Sequence, residues 1–381
     1  MNHSHDVAVL GAGIAGSCLA KSLADQGWDT VLIDRKQFPR HKVCGEFLSP
    51  ESQNMLNDLG LGGIVEALQP SIINRTQLIF NFGTCLEIPL PGMALGVSRY
   101  SLDSALHLAA QKAGVNVQTS TTVTSVYPCD SGYTIEAKQG GERKGYQVRA
   151  VIAAWGANGR SGLLGQSPDS KATNTYMGVK SHYTGIEMEQ VVELYFFDGG
   201  YLGISPIEGG RVNAAALLKQ ETFKHTEKSI LGLIEAASRK NPKLHQRMAN
   251  ALPVLGTQSA VAPVNLERKP LTWDRIPYVG DASMMIPPLC GDGMSMALRS
   301  ALICAPLASR YLGGEISLDR WQQEYSQSIK REFKRPLQWG RFLQWSLGVP
   351  ILPRALLVAA HVTPRMAYGL VKATRLKEMR S

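Results

Sequence analysis

A chain of 381 residues, 44% of them hydrophobic, is too long for one small core and too apolar for disorder, which points to two domains. Its net charge of +9 sits at one end: from Lys330 onward eleven lysines and arginines stand against Glu332 and Glu378, and the residues before them are neutral. Such a patch argues against a nucleic-acid channel through the body, while six cysteines without a C-x-x-C pair, behind a short polar MNHSH start, argue against a disulfide scaffold, a metal site or a secretory leader and suit a reducing cytoplasm.

The first predicted element is the apolar run Val7-Ala8-Val9-Leu10, a buried parallel strand that leads into Gly11-Ala12-Gly13-Ile14-Ala15-Gly16 and an amphipathic helix with Leu19, Ala20 and Leu23 on one face. A second run, Thr30-Val31-Leu32-Ile33, ends in Asp34 and Arg35, the acid lying eighteen residues past Gly16. Strand, glycine turn, helix, strand and terminal acid together read as a dinucleotide-binding unit. Gly11 permits the turn, Gly13 lets a pyrophosphate approach the helix N-terminus, and Gly16 lets helix and sheet pack closely. Ile14 and Ala15 in the first turn, and Arg35 beside the acid, belong to the same candidate contact set.

A Gly/Pro-punctuated loop from Lys36 to Pro50 precedes a short helix at residues 51–59, and residues 77–82 and 85–89 read as a hairpin. Residues 97–103 open a helix that ends at Gly114, and short strands follow at 115–117, 121–126, 133–137 and 147–153, returning to the first sheet. The pattern then becomes alternating β at 176–183, 191–197, 201–206 and 211–218, an antiparallel sheet crossed by helices at 223–239 and 242–251. On this inserted sheet His182, Tyr195, Tyr201 and Ser205 are candidate pocket residues. A strand at 276–279 carries Gly280-Asp281, and Gly291-Asp292-Gly293-Met294 begins a helix reaching Tyr311. Backbone N–H groups at that helix start suit an anionic or electron-rich ring edge; the plain alternative is an ordinary N-cap by Asp292.

With these motifs in order the chain resembles the FAD-dependent oxidoreductases of the p-hydroxybenzoate hydroxylase-type fold, and within them the geranylgeranyl reductase-like flavoproteins. The resemblance covers most of residues 5 to 330. It rests on the glycine turn with Asp34, on Arg40 through Pro50, on Ser98-Arg99 with Leu102-Asp103, on Trp155 through Ser161, and on Gly280-Asp281 with Gly291 through Met294. It implies that Asp34 holds the adenosine ribose, Arg99 approaches the flavin or pyrophosphate, and Val123 meets adenine by its backbone. Asp281 would then serve the ribityl or pyrophosphate region, with Gly291, Gly293 and Met294 facing the isoalloxazine. The Cys44-Gly45 loop would lie beside the flavin, with Cys44 and Glu46 as candidate catalytic groups; the plain reading of Cys44 is a small buried hydrophobe. Trp155-Gly156-Ala157-Asn158 stands where aromatic hydroxylases carry an aspartate motif shared with pyridine-nucleotide binding, which leaves the donor open between NAD(P)H and another external source.

The expected fold is α/β: a discontinuous Rossmann-type FAD-binding domain (1–72, 97–172, 263–330), an inserted antiparallel β-sheet substrate domain (73–96, 173–262) and a basic C-terminal helical tail (331–381). Between Phe333 and Lys377 no acidic residue occurs, and Trp339, Phe342 and Trp345 alternate with basic residues in segments punctuated by Pro350, Pro353 and Pro364. No apolar stretch is long enough to span a bilayer, so residues 336–381 suit the plane of an anionic membrane surface, or else pack as helices on the body or in a dimer. The expected activity is oxidoreduction of a small hydrophobic substrate (isoprenoid, lipid-like or polyketide-like), with C=C reduction ahead of hydroxylation of an aromatic or quinone-like ring. Halogenation is disfavoured, because Tyr201-Leu-Gly-Ile-Ser-Pro206 replaces the Trp-x-Trp-x-Ile-Pro signature of those relatives. A flavoprotein accessory factor acting on a carrier- or protein-bound partner is the alternative of a different class, and a redox partner is a separate candidate partner of the chain.

Overall fold

The computed structural model describes residues 2–157, 163, 175–348, 369 and 372–376. β1 (Asn2–Leu10), α1 (Ile14–Asp25) and β2 (Thr30–Ile33) form the expected opening unit, followed by β3 (Phe47–Leu48), α2 (Pro50–Asp58) and α3 (Gly62–Glu66). The chain crosses to a second sheet in β4 (Ser71–Phe80) and β5 (Cys85–Gly96). It returns through α4 (Arg99–Lys112), β6 (Asn116–Gln118), β7 (Thr121–Cys129), β8 (Gly132–Gln139) and β9 (Glu142–Ala153). The second sheet is completed by β10 (Tyr176–Thr184), β11 (Val191–Phe197), β12 (Gly200–Ile207), β13 (Arg211–Lys219), α5 (Ile230–Ser238), α6 (Pro242–Arg247), β14 (Leu252–Pro253) and β15 (Ser259–Val264). Two long helices, α7 (Gly293–Leu312) and α8 (Leu318–Gly348), follow.

The first sheet has the order β6-β2-β1-β9-β8-β7, with parallel pairing from β6 to β9 and an antiparallel meander beyond. Alternation along β1 sorts its side chains: Val7 and Val9 pack on α1, α4 and α7, while Ala8 and Leu10 join Ile135, Tyr146 and Tyr278 on the other face. β1 begins earlier than its apolar run because residues 2–5 pair with Gly145 to Val148 of β9, which requires no hydrophobic side chain.

The second sheet runs β14-β10-β13-β12-β11-β4-β5-β3 and is antiparallel except at one joint, where β11 lies parallel to β4. That joint unites strands contributed by two distant segments, a pairing that no local hairpin signal announces. One face of the sheet, through Ile79, Tyr195, Phe197, Leu202 and Ile204, packs under α5 and α6. The helix expected from Phe223 starts only at Ile230, because Ser229 caps it by accepting the Gly232 N–H at 3.0 Å.

α8 runs unbroken across residue 330, so the tail read as starting at 331 continues a helix of the body. Its buried stripe, Trp321, Tyr325, Ile329, Phe333 and Leu337, recurs every fourth residue against the main core. Among the described residues no helix is long and apolar enough to cross a membrane, and Pro350, Pro353 and Pro364 lie outside them. Trp321→Ala should cost about 3–5 kcal/mol in denaturant unfolding, whereas Trp345→Ala, on the exposed side of the same helix, should stay within about 0.5 kcal/mol.

Candidate active site

The two glycine turns of the first domain and the inner face of the second sheet enclose a cavity of about 1230 Å³. Pockets for one small ligand commonly span about 300–1,000 Å³, so this volume suits an extended cofactor together with a second molecule.

At the first turn Gly11 has φ of 115°, and a Cβ there would stand 2.4 Å from the Ala154 carbonyl oxygen; at Gly16 it would stand 1.8 Å from the Gly11 oxygen. Gly13 differs, since a Cβ would meet nothing nearer than Arg99 Nη2 at 3.9 Å and would project into open cavity. No side chain caps α1, so the first-turn N–H groups around Ile14, Ala15 and Gly16 are available to a ligand. Asp34 is buried and fastens the turn by accepting the Ala12 and Lys36 N–H groups, each at 2.8 Å. Ionised carboxylates offer about four acceptor sites, which leaves room for a ribose hydroxyl. Arg35 and Val123 line the same end of the cavity.

The second uncapped terminus belongs to α7. Gly291 has φ of 71° and lies so close to Phe47 that a Cβ would approach the ring to 3.0 Å. Asp292 occupies the N-cap position without capping, its carboxylate engaged instead by the guanidinium of Arg375. The plain N-cap alternative is thereby excluded. Burial pushes the Asp292 carboxyl up to about 7 against the lowering influence of Arg375. Gly293 and Met294 line the cavity, as does Asp281, whose neighbour Gly280 (φ 60°) donates its N–H to Ser300 Oγ at 2.8 Å. Lys42 Nζ lies 3.9 Å from the Asp281 carboxylate. Two helix N-termini, with their partial positive charge, thus open on one space.

Arg99 starts α4 and also borders the cavity, forked onto Asp103 at 2.7 and 2.8 Å. Burial lowers its pKa, but the Asp103 charge outweighs that and raises it, so the guanidinium stays charged. Cys44 and Gly45 line the wall; their carbonyls accept hydrogen bonds from Asn213 Nδ2 at 3.0 Å and Ser205 Oγ at 2.9 Å, which pins the loop to the second sheet.

Glu46 is not an acid facing the cavity. Its φ of +54° turns the side chain away, into a fully buried cluster where the carboxylate meets Lys180 Nζ at 2.5 Å, His182 Nε2 at 2.7 Å and the Arg99 N–H at 2.9 Å. Burial pushes this carboxyl up, but the hydrogen bond with His182 and the charge of Lys180 prevail and hold it below the usual range. His182 is accordingly a partner of Glu46 and not a pocket residue. Tyr195 also misses the cavity, because alternation on β11 sends Leu194 and Phe196 inward and leaves Tyr195 bonded to Glu193 at 2.8 Å on the opposite face. Tyr201 and Ser205 do line the wall.

Several lining residues escaped sequence reasoning. Arg268 and Met285 come from loops without a motif of their own, and Leu343 and Arg375 arrive from the tail, while Trp155, from the motif at 155–161, lines the cavity as well. His41 also borders the cavity, stacked on Tyr100 at 4.7 Å; burial, then the charges of Lys180 and His182, lower its pKa to about 4, so its ring is neutral at physiological pH. Asn158 to Ser161 lie outside the described residues.

A family model described as FAD binding domain matches residues 4–332. The chain belongs to this FAD-binding family. Among curated proteins it is similar to digeranylgeranylglycerophospholipid reductase 2 of Methanopyrus kandleri, at 28% identity over 86% of this chain and 85% of that protein. It is also similar to menaquinone reductase of Mycolicibacterium smegmatis, at 25% identity over 99% and 92%. Among solved structures the flavin-dependent brominase Bmp2 superposes with a TM-score of 0.80 at 18% identity, covering 97% of this chain and 93% of that one, a likeness of fold. The protein is therefore an FAD-dependent oxidoreductase, and the open Gly13 cradle and the two uncapped helix ends are suited to that cofactor.

Gly13 has an ordinary extended backbone, so Gly13→Val should fold yet purify colourless, the branched side chain occupying the pyrophosphate approach; flavin retained at one per chain would reject this cradle. Glu46→Gln should destabilise the protein by about 3–5 kcal/mol at pH 7 by leaving Lys180 buried without its counter-charge. Because the folded-state pKa of Glu46 lies below the unfolded value, its contribution is complete above about pH 4.3 and is lost as pH falls through the folded value. Unfolding curves of wild type and variant should therefore converge in acid.

Proposed function

We propose that this FAD-dependent oxidoreductase reduces a C=C bond of an apolar substrate of isoprenoid, lipid-like or polyketide type, with NAD(P)H or another external donor restoring the reduced cofactor. The observation that carries the reading is the wall opposite the cofactor turns, where Leu78, Phe80, Ile88, Leu194, Phe196 and Leu217 project from adjacent strands and present hydrocarbon. Gly203, at the centre of β12, faces the same space and keeps it deep. When bound, FAD supplies two-electron hydride chemistry. The contribution of this chain is to align an apolar molecule along that wall, to exclude water from it, and to hold the Cys44-Gly45 backbone against it through Ser205 and Asn213. The reductase names carried by the two curated relatives point the same way. Anaerobic incubation of chemically reduced holoenzyme with prenyl chains and phenolic polyketides is expected to give products heavier by two hydrogens. Products heavier by one oxygen, formed only in air, would transfer the assignment to hydroxylation.

The same reading attaches the enzyme to an anionic membrane surface through α8. In support, Arg331, Lys334, Arg335, Gln338, Arg341, Phe342 and Trp345 recur at three- and four-residue spacing along its exposed side, opposite the stripe that packs on the body. Phe342 and Trp345 are 42% and 58% exposed, and each basic residue near such a surface contributes on the order of 1 kcal/mol. Wild type should sediment with anionic but not neutral vesicles and be released by salt. The Phe342→Ala/Trp345→Ala variant should bind at least fivefold more weakly, and undiminished binding would remove α8 from the contact.

A further inference from the structure

We infer that Arg375, supplied by the C-terminal segment beyond the family domain, is a positioning residue of the cofactor site that keeps the N-terminus of α7 open by holding Asp292 out of its capping position. Aspartate at an N-cap ordinarily turns its carboxylate onto the N–H groups of the first turn and satisfies them. Asp292 occupies that position, is fully buried, and does not cap. Its carboxylate is taken instead by the Arg375 guanidinium, which also lies over the Phe47 ring at 5.4 Å. Phe47 in turn packs against Gly291, the left-handed residue that opens this turn.

The charge balance points the same way. Asp292 sits where a helix terminus would face an electron-rich ring edge, and the Glu51 carboxylate adds further negative potential at Asp292. In its ionised form this acid opposes both binding of the ring and the negative charge that a reduced flavin acquires, and a cation beside it offsets that. Arg375 is that cation. Its residue and Thr374 line the cavity beside Gly291, Gly293 and Met294, and Leu376 is anchored in the main core, which holds the guanidinium at this depth. The basic tail therefore contributes to the site as well as carrying surface charge. This inference rests on FAD occupying the cavity with its ring toward α7.

Two single variants and their combination test it, read by FAD titration of apoprotein and by the reduction midpoint of the reconstituted enzyme. Arg375→Gln should weaken FAD binding about tenfold or more and lower the midpoint, because Asp292 becomes free to cap α7 and to withdraw those N–H groups from the ring. Asp292→Ala should bind FAD within about threefold of wild type. The double variant Arg375→Gln/Asp292→Ala should recover affinity to within about threefold and return the midpoint toward wild type, a rescue that loss of a merely structural contact would not give. Wild-type affinity and midpoint in Arg375→Gln, or a double variant as weak as Arg375→Gln alone, would overturn the inference. Colourless Gly13→Val beside a fully flavinylated Arg375→Gln of unchanged midpoint would leave the FAD assignment standing and reject the role of Arg375.

Discussion

The cavity depends on one buried carboxylate. Glu46 lies on the loop that leaves the nucleotide-binding unit, Lys180 and His182 lie on the second sheet, and the Arg99 N–H opens α4; the four groups meet where no solvent reaches. Burying a lysine and a glutamate is costly unless each satisfies the other, so the cluster tolerates few arrangements of the two sheets. Fixing that arrangement also fixes Cys44 and Gly45, immediately upstream, against Ser205 and Asn213. Glu46 thus shapes the wall without touching what binds there, and its depressed pKa follows from the same contacts.

Given this clamp, strand alternation divides the second sheet into two functions. Inward residues on β4, β11, β12 and β13 make the apolar wall, while outward residues on the same strands form a core with α5 and α6. A one-residue register change would exchange the two sets, so the parallel joint between β4 and β11 matters as much for the pocket as any individual lining residue. The cofactor side follows a different rule. There the useful features are absences: no side chain at Gly13, no cap on α1 and no cap on α7, each leaving backbone N–H groups facing the cavity. Hydrocarbon on one side and unsatisfied donors on the other are what a polar cofactor and an apolar substrate require of one space.

Whatever depends on local spacing can be read from the order of residues alone. Glycines at 11, 13 and 16 with an acid at 34 admit one turn geometry, a four-residue apolar strand followed by an amphipathic segment can form only one kind of βαβ start, and Gly291 ahead of a long helix marks a second. Tertiary structure alone decided what depends on distant segments meeting. Glu46 looked like a free acid in a motif because the cation that neutralises it is 134 residues away, inside a strand whose pattern carries no sign of a buried lysine. His182 and Tyr195 could not be assigned to a face until pairing set the register. Asp292 reads as an ordinary cap because Arg375 stands 83 residues later, in a tail whose composition suits a membrane surface or packing on the body and names no partner for it. The physical reason is common to all three: side-chain spacing reports which backbone a segment adopts, whereas the charge state and direction of a buried group are set by partners that the fold brings from elsewhere.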